Sequence, residues 1–180
     1  VSNSRDCTYK LHIKDEKDIE NYDKDAIQIF SNTLDFNVEK YLGQWYEIAR
    51  KDFKFEKDLN NVTANYSIRN DDKVKVLNKG YHTIDKEWKE SEGKAKFRGE
   101  KNVGELAVSF FGPFYSGYNV IAIDNQYKYA LVAGKNLDYL WLLSRETTMP
   151  EKVKNEFLEK AKSIGYDVSD LVWVKHDKNN

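Results

Sequence analysis

A single cysteine, Cys7, in a chain of 180 residues excludes an intramolecular disulfide and any cysteine-based zinc cluster. That thiol is left as an idle group, an intermolecular bridge or an acylation site, and no run of small residues of the kind that precedes acylated cysteines stands before it. Histidine is nearly as scarce. His12, His82 and His176 are far apart in the chain, so no metal-ligand spacing exists and no metal or cofactor is expected. No apolar run approaches the roughly 18 residues that cross a bilayer. The opening Val-Ser-Asn-Ser-Arg-Asp has no signal-peptide pattern, and a start at Val1 reads as a trimmed product or an artificial boundary. Charge of one sign is also lacking: 29 Lys and Arg against 30 Asp and Glu give a net charge of −1, which leaves no global field to attract nucleic acid. Signatures of catalysis are missing too. There is no glycine-rich phosphate loop, no Gly-x-Ser-x-Gly elbow, and no cysteine–histidine pairing apart from Cys7 and His12. Carboxylate pairs such as Glu87 and Glu90 specify nothing in a chain with 30 acidic residues, so no enzyme is expected.

What the chain does have is aromatic residues, 12 Tyr, 9 Phe and 4 Trp, which favour a packed core over disorder. From Trp45 onward, short stretches of alternating apolar residues recur about every ten to twelve residues, separated by turn formers. Eight can be counted: Trp45 to Phe55, Val62 to Ile68, Lys73 to His82, Trp88 to Phe97, Glu105 to Phe111, Phe114 to Ile123, Tyr127 to Ala133 and Tyr139 to Arg145. Asn70-Asp71-Asp72 and Asp124-Asn125-Gln126 supply residues that tolerate tight-turn dihedrals. Eight antiparallel strands joined by hairpins close into an all-β, up-and-down barrel wide enough for one small ligand.

The period then changes. Thr148-Met149-Pro150-Glu151 reads as a capping box, and Val153, Phe157, Leu158, Ala161 and Ile164 recur at helical spacing, with Gly165 as the stop. This predicts one amphipathic helix over about 149–164, laid against the outside of the barrel, followed by a short extended stretch, Leu171-Val172-Trp173-Val174. Residues 1–35 read as an extension with a small apolar patch at Ala26 to Phe30, residues 36–175 as the barrel domain with its helix and final short strand, and residues 176–180 as a tail.

The segment Tyr41-Leu42-Gly43-Gln44-Trp45-Tyr46-Glu47-Ile48 and, about a hundred residues later, Leu140-Trp141-Leu142-Leu143-Ser144-Arg145 followed by a helix together resemble the lipocalin family. Val108-Ser109-Phe110-Phe111-Gly112-Pro113-Phe114-Tyr115 and Gly117-Tyr118-Asn119-Val120-Ile121-Ala122 are similar to the branch of bacterial outer-membrane lipocalins and apolipoprotein D. The likeness departs at Ile123-Asp124-Asn125-Gln126-Tyr127 and in the missing disulfides. The resemblance implies that Gly43, Trp45, Tyr46 and Arg145 form the structural motif. Strand one would rise from the closed end and strand eight descend to it, so that Arg145 meets the Trp45 indole at the floor, a cation–π contact worth about 0.5–2 kcal/mol.

The resemblance also implies that Tyr66, Asn78, His82 and Trp141 face the lumen. A period of two then adds Ala64, Ile68, Val76, Leu106, Val108, Phe110 and Leu143, which either line a pocket or fill a solid core. His82 either meets a ligand head group or stands in a solvent-exposed turn. At the other end, Phe53, Phe55, Phe111, Phe114 and Tyr115 would ring the mouth beside Lys51, Lys54 and Lys57, either plugging it or contacting an anionic membrane or a second subunit. Two sequons, Asn61-Val62-Thr63 and Asn65-Tyr66-Ser67, fall on the outward parity of strand two.

Taken with the resemblance, these features imply a secreted or lumenal carrier or scavenger of fatty acids, lysophospholipids or similar amphiphiles, with a tetrapyrrole such as haem as the second ligand class that an aromatic lumen admits. Family likeness adds roles in membrane maintenance or protection from oxidative damage. The rival reading is an oligomeric interaction protein, a homo-oligomer assembled through the aromatic mouth and the extension, with an incidental lumen. The Lys- and Asn-heavy composition fits an AT-rich genome such as that of a malaria parasite.

Overall fold

The computed structural model describes residue 33 and residues 35–179. Cys7, His12, the patch at Ala26 to Phe30 and the expected part of the extension in assembly lie outside the described residues. Asn37 caps a single helical turn, α1 (Val38–Tyr41), its side chain accepting the Lys40 amide. The chain enters β1 (Gly43–Arg50) through Gly43, at a φ of 90° that an L side chain rarely adopts.

Seven further strands follow: β2 (Leu59–Ile68), β3 (Val74–His82), β4 (Glu87–Phe97), β5 (Glu105–Phe111), β6 (Phe114–Ile123), β7 (Tyr129–Ala133) and β8 (Leu140–Ser144). Each pairs antiparallel with its neighbour, and β1 pairs with both β8 and β2, so the sheet closes on itself as the expected eight-stranded barrel. Alternation then divides the apolar residues into two cores. One fills the barrel interior around Trp45, Tyr66, Val76, Leu106, Val132 and Leu143. The other lies outside the wall, where Ile121, Leu131 and Leu142 meet Phe157 and Ala161 of α2 (Glu151–Ile164). The helix ends at Gly165, at a φ of 112°, as its glycine predicted.

Two local expectations are corrected. Thr148 does not cap α2: the N-cap is Pro150, with no side-chain hydrogen bond, and the Thr148 carbonyl accepts from Ser144 Oγ at 2.8 Å, which ties this segment to the end of β8. The first strand stops at Arg50 rather than Phe55. A register shift between Glu47 and Ala49 precedes Arg50, which donates to the Glu56 and Leu59 carbonyls and so folds residues 51–58 back as a loop.

The barrel also has a seam. β1 pairs with β2 only over Gly43 to Tyr46, and beyond that the two strands diverge. The gap is filled by β9 (Val172–Trp173), paired with Ala49 and Arg50, and by the tail. Val174 N donates to Ile48 O, and Asn61 N donates to Lys175 O at 2.8 Å. Asn61, at a φ of 54°, is 4% exposed; its Oδ1 accepts the Asp177 and Lys178 amides, both at 2.9 Å, and its Nδ2 donates to Asp177 Oδ1 at 3.1 Å. The first sequon asparagine is therefore covered by the tail, whereas Asn65 is exposed.

Candidate ligand-binding lumen

Strand direction sets the two ends. The β2–β3, β4–β5 and β6–β7 connections lie at the floor, with Trp45 and Arg145. The β1–β2, β3–β4, β5–β6 and β7–β8 connections form the mouth. At the floor the Arg145 guanidinium sits 3.8 Å from the centre of the Trp45 ring. It donates to the carbonyls of Lys40, Tyr41, Gln44 and Tyr127, tying α1 and the β6–β7 turn beneath the barrel.

Above the floor, three phenols form a chain in apolar surroundings. The Tyr118 hydroxyl lies 2.6 Å from that of Tyr41 and 2.7 Å from that of Tyr66. Burial pushes all three hydroxyls above the ordinary phenol range, so they are neutral hydrogen-bonding groups. Phe36, Val74, Val76, Ala95 and Leu106 complete this lower chamber, whose residual cavity is about 10 Å³, room for about one water.

Toward the mouth the lumen turns polar. Arg50, 1% exposed, donates from Nη1 to Glu47 Oε1 at 2.9 Å and from Nε to Asp52 Oδ1 at 3.3 Å. Glu56 reaches in from the mouth loop, with Oε2 accepting from Trp141 Nε1 at 3.2 Å and lying 3.6 Å from Arg50 Nε. Burial raises both glutamate pKa values above the usual carboxylate range; for Glu56 the Glu47 charge adds to the rise, and Arg50 opposes it in both. The two carboxyls therefore hold a proton more readily than exposed ones would.

The expected lumen residues fall as follows. Ala64, Tyr66, Val76, Leu106, Val108, Phe110, Trp141 and Leu143 all belong to the interior cluster. Asn78 shares the face of Val74 and Val76 on β3 and is half-buried. His82 ends β3 at the mouth, where its Nδ1 accepts the Asp85 amide at 3.0 Å, engaged in the β3–β4 turn. Ile68 is corrected: its parity is inward, but it ends β2 two residues beyond the start of the β1 pairing at Tyr66, 51% exposed, in a shallow polar depression with Arg69, Asp71 and Lys75.

At the mouth, Phe53 packs edge-on against Tyr139 and Trp141, and Phe55 lies against Phe111. Phe55, Phe111 and Phe114 are exposed. Tyr115 is corrected: it faces the outer wall, beneath the Lys96 ammonium at 4.3 Å, because alternation along β6 sends it opposite to Phe114. The Glu47–Arg50–Glu56 hub and the phenol chain went unread, although period two already placed Glu47 on the face of Trp45.

The family model for a lipocalin-like domain matches residues 36–176. The chain belongs to the lipocalins. This lipocalin is 53% identical over 140 residues to the outer membrane lipoprotein Blc of Escherichia coli K12, a match covering 78% of this chain and 79% of the relative. It is 37% identical over 123 residues to apolipoprotein D of Rattus norvegicus, covering 64% of each. Among solved structures, the cockroach allergen Per a 4 superposes with a TM-score of 0.65 at 20% identity, covering 84% of this lipocalin and 95% of the allergen. Apocrustacyanin C1 does so with a TM-score of 0.65 at 18% identity, covering 79% and 81%. These structural likenesses concern the fold alone.

Proposed function

We propose that this lipocalin is an exported, non-enzymatic carrier or scavenger of single-chain amphiphiles, fatty acids or lysophospholipids, whose acyl chain enters the barrel through the mouth. The observation that carries this reading is the interior itself: an apolar wall sealed at the floor by Trp45 and Arg145 and fringed at the mouth by exposed phenylalanines. Each buried methylene contributes about 0.8 kcal/mol. The residual cavity of the lower chamber, about 10 Å³, means that a ligand reaching the floor displaces side chains there. A thin, flexible chain does this in steps, whereas a rigid tetrapyrrole needs the whole width at once, which disfavours the haem reading. The similarity to outer membrane lipoproteins supports a setting rich in such lipids.

The rim supports membrane contact. Phe55, Ile84, Phe111 and Phe114, 63–79% exposed, project from three separate mouth loops, and Lys54, Lys57 and Lys86 beside them have no carboxylate in ion-pair range among the described residues. This arrangement suits an anionic lipid interface from which cargo is taken.

The test is titration of tryptophan fluorescence with oleate and with lysophosphatidylcholine. Saturable quenching that is lost in Trp141→Phe is expected. Silence to both with tight haem binding would overturn the amphiphile reading, and silence to all three would favour an interaction protein.

A further inference from the structure

Of the groups that close the lumen, one differs in kind from the rest. Glu47 and Arg50 belong to the barrel wall, and Asp52 is largely outside, with its side chain 40% exposed. Glu56 belongs to the mouth loop, yet its side chain is only 13% exposed, and it supplies the acceptor for Trp141 Nε1. Phe53 of the same loop stacks edge-on on the Trp141 ring at 5.8 Å. An amphiphile reaching the apolar wall must move this loop aside.

We infer that Arg50 and Trp141 form a carboxylate site for the ligand head group, and that Glu56 occupies it as a built-in stand-in until a fatty acid displaces it. The inference rests on the amphiphile-carrier reading and names the head group that reading leaves open.

Three observations carry it. First, loss of Glu56 strands the Trp141 indole N–H in an enclosed site and removes a carboxylate 3.6 Å from the Arg50 Nε, and an unsatisfied buried donor costs about 1–3 kcal/mol. A carboxylate restores the indole hydrogen bond and the ion-pair contact with Arg50 together; an ester or an alcohol offers a weaker acceptor and no charge. Second, the exchange leaves the number of carboxyl groups around Arg50 unchanged, since the fatty acid replaces Glu56 beside Glu47 and Asp52. The site therefore meets no more repulsion loaded than closed. Third, the hub sits at the mouth end of the apolar wall, so a head group held there directs the chain past Leu143, Val108 and Val76 toward the floor.

Calorimetric titration of the full chain with oleate, methyl oleate and oleyl alcohol separates the possibilities. Oleate is expected to bind about tenfold or more tighter than the other two, the factor of one charge-assisted hydrogen bond. Glu56→Ala is expected to tighten all three by a common factor, because the competing stand-in is gone. Trp141→Phe, which keeps the ring and removes the donor, is expected to shrink the preference for oleate. That ratio is insensitive to how easily the loop opens, because opening scales all three affinities alike. Thermal unfolding of each variant checks that the barrel is intact, and Glu56→Gln serves where Glu56→Ala does not fold. Equal affinity for acid, ester and alcohol in the unaltered chain, or weakened oleate binding in folded Glu56→Ala, would overturn the head-group site while leaving the carrier reading standing. No binding of any of the three would sink both.

Discussion

Arg145 sits over Trp45, 3.8 Å from the ring centre, while its donors reach four backbone carbonyls from three segments. The stack and the bonds act together, because a planar guanidinium can cover a ring and donate in its own plane at once. Arg145→Ala should lower unfolding free energy by about 2–4 kcal/mol. Arg145→Lys should recover little, since an ammonium cannot fill the fork. Urea unfolding measures both, with Arg69→Ala as reference: its exposed pair with Asp71 is worth about 1 kcal/mol or less.

The buried carboxyls set a pH dependence. Glu47 and Glu56 have folded-state pKa values raised above 4.5, by burial first, so the folded chain binds more protons than the unfolded one across the interval between. Their contribution is fully present below 4.5 and is lost as the pH rises through the raised values. Above about pH 4.5, stability should therefore fall with pH more steeply in the unaltered chain than in Glu56→Gln. Urea midpoints at several pH values decide this; an identical slope in Glu56→Gln would contradict the assignment.

Asn61 does two jobs that substitution can separate. Asn61→Gly keeps the left-handed backbone and loses the three side-chain bonds to the tail, whereas Asn61→Ala loses the bonds and strains the backbone. Both should destabilise, by about 2 kcal/mol or more for the lost bonds, and Ala should cost about 1 kcal/mol beyond Gly. Amide hydrogen exchange at Asp177 and Lys178 should accelerate in both variants.

Replacing Phe55 and Phe114 together by Ser should weaken binding to vesicles containing phosphatidylglycerol while leaving the unfolding midpoint unchanged. Both side chains are more than half exposed, and their burial contributes little to the fold. Vesicle co-sedimentation reads the effect, and unchanged sedimentation would remove the rim from membrane contact.

The barrel was legible because its strands announce themselves twice, in alternation and in turn chemistry. Asp124, whose carboxylate accepts the Gln126, Lys128 and Tyr129 amides, is a turn former doing what its side chain allows. Parity placed Val76, Leu106 and Leu143 inside for the same reason. It failed where a strand ends: Ile68 keeps its phase but lies beyond the stretch of β2 that β1 covers. It also failed for Tyr115, which was grouped with its neighbours by sequence proximity rather than by face. The hub stayed hidden because charged residues are read as surface, and only a register shift and a returning loop bring Arg50 and Glu56 together.

The seam between β1 and β2 has a consequence for synthesis. His176 meets the Glu47 carbonyl at 2.7 Å across a separation of 129 residues, so the wall begun with the first strand lacks a panel until the end of this domain has emerged from the ribosome. A nascent barrel is thus an open trough rather than a vessel, with its apolar lining within reach of chaperones or lipid until that last segment arrives. Such long-range closure is slow by nature.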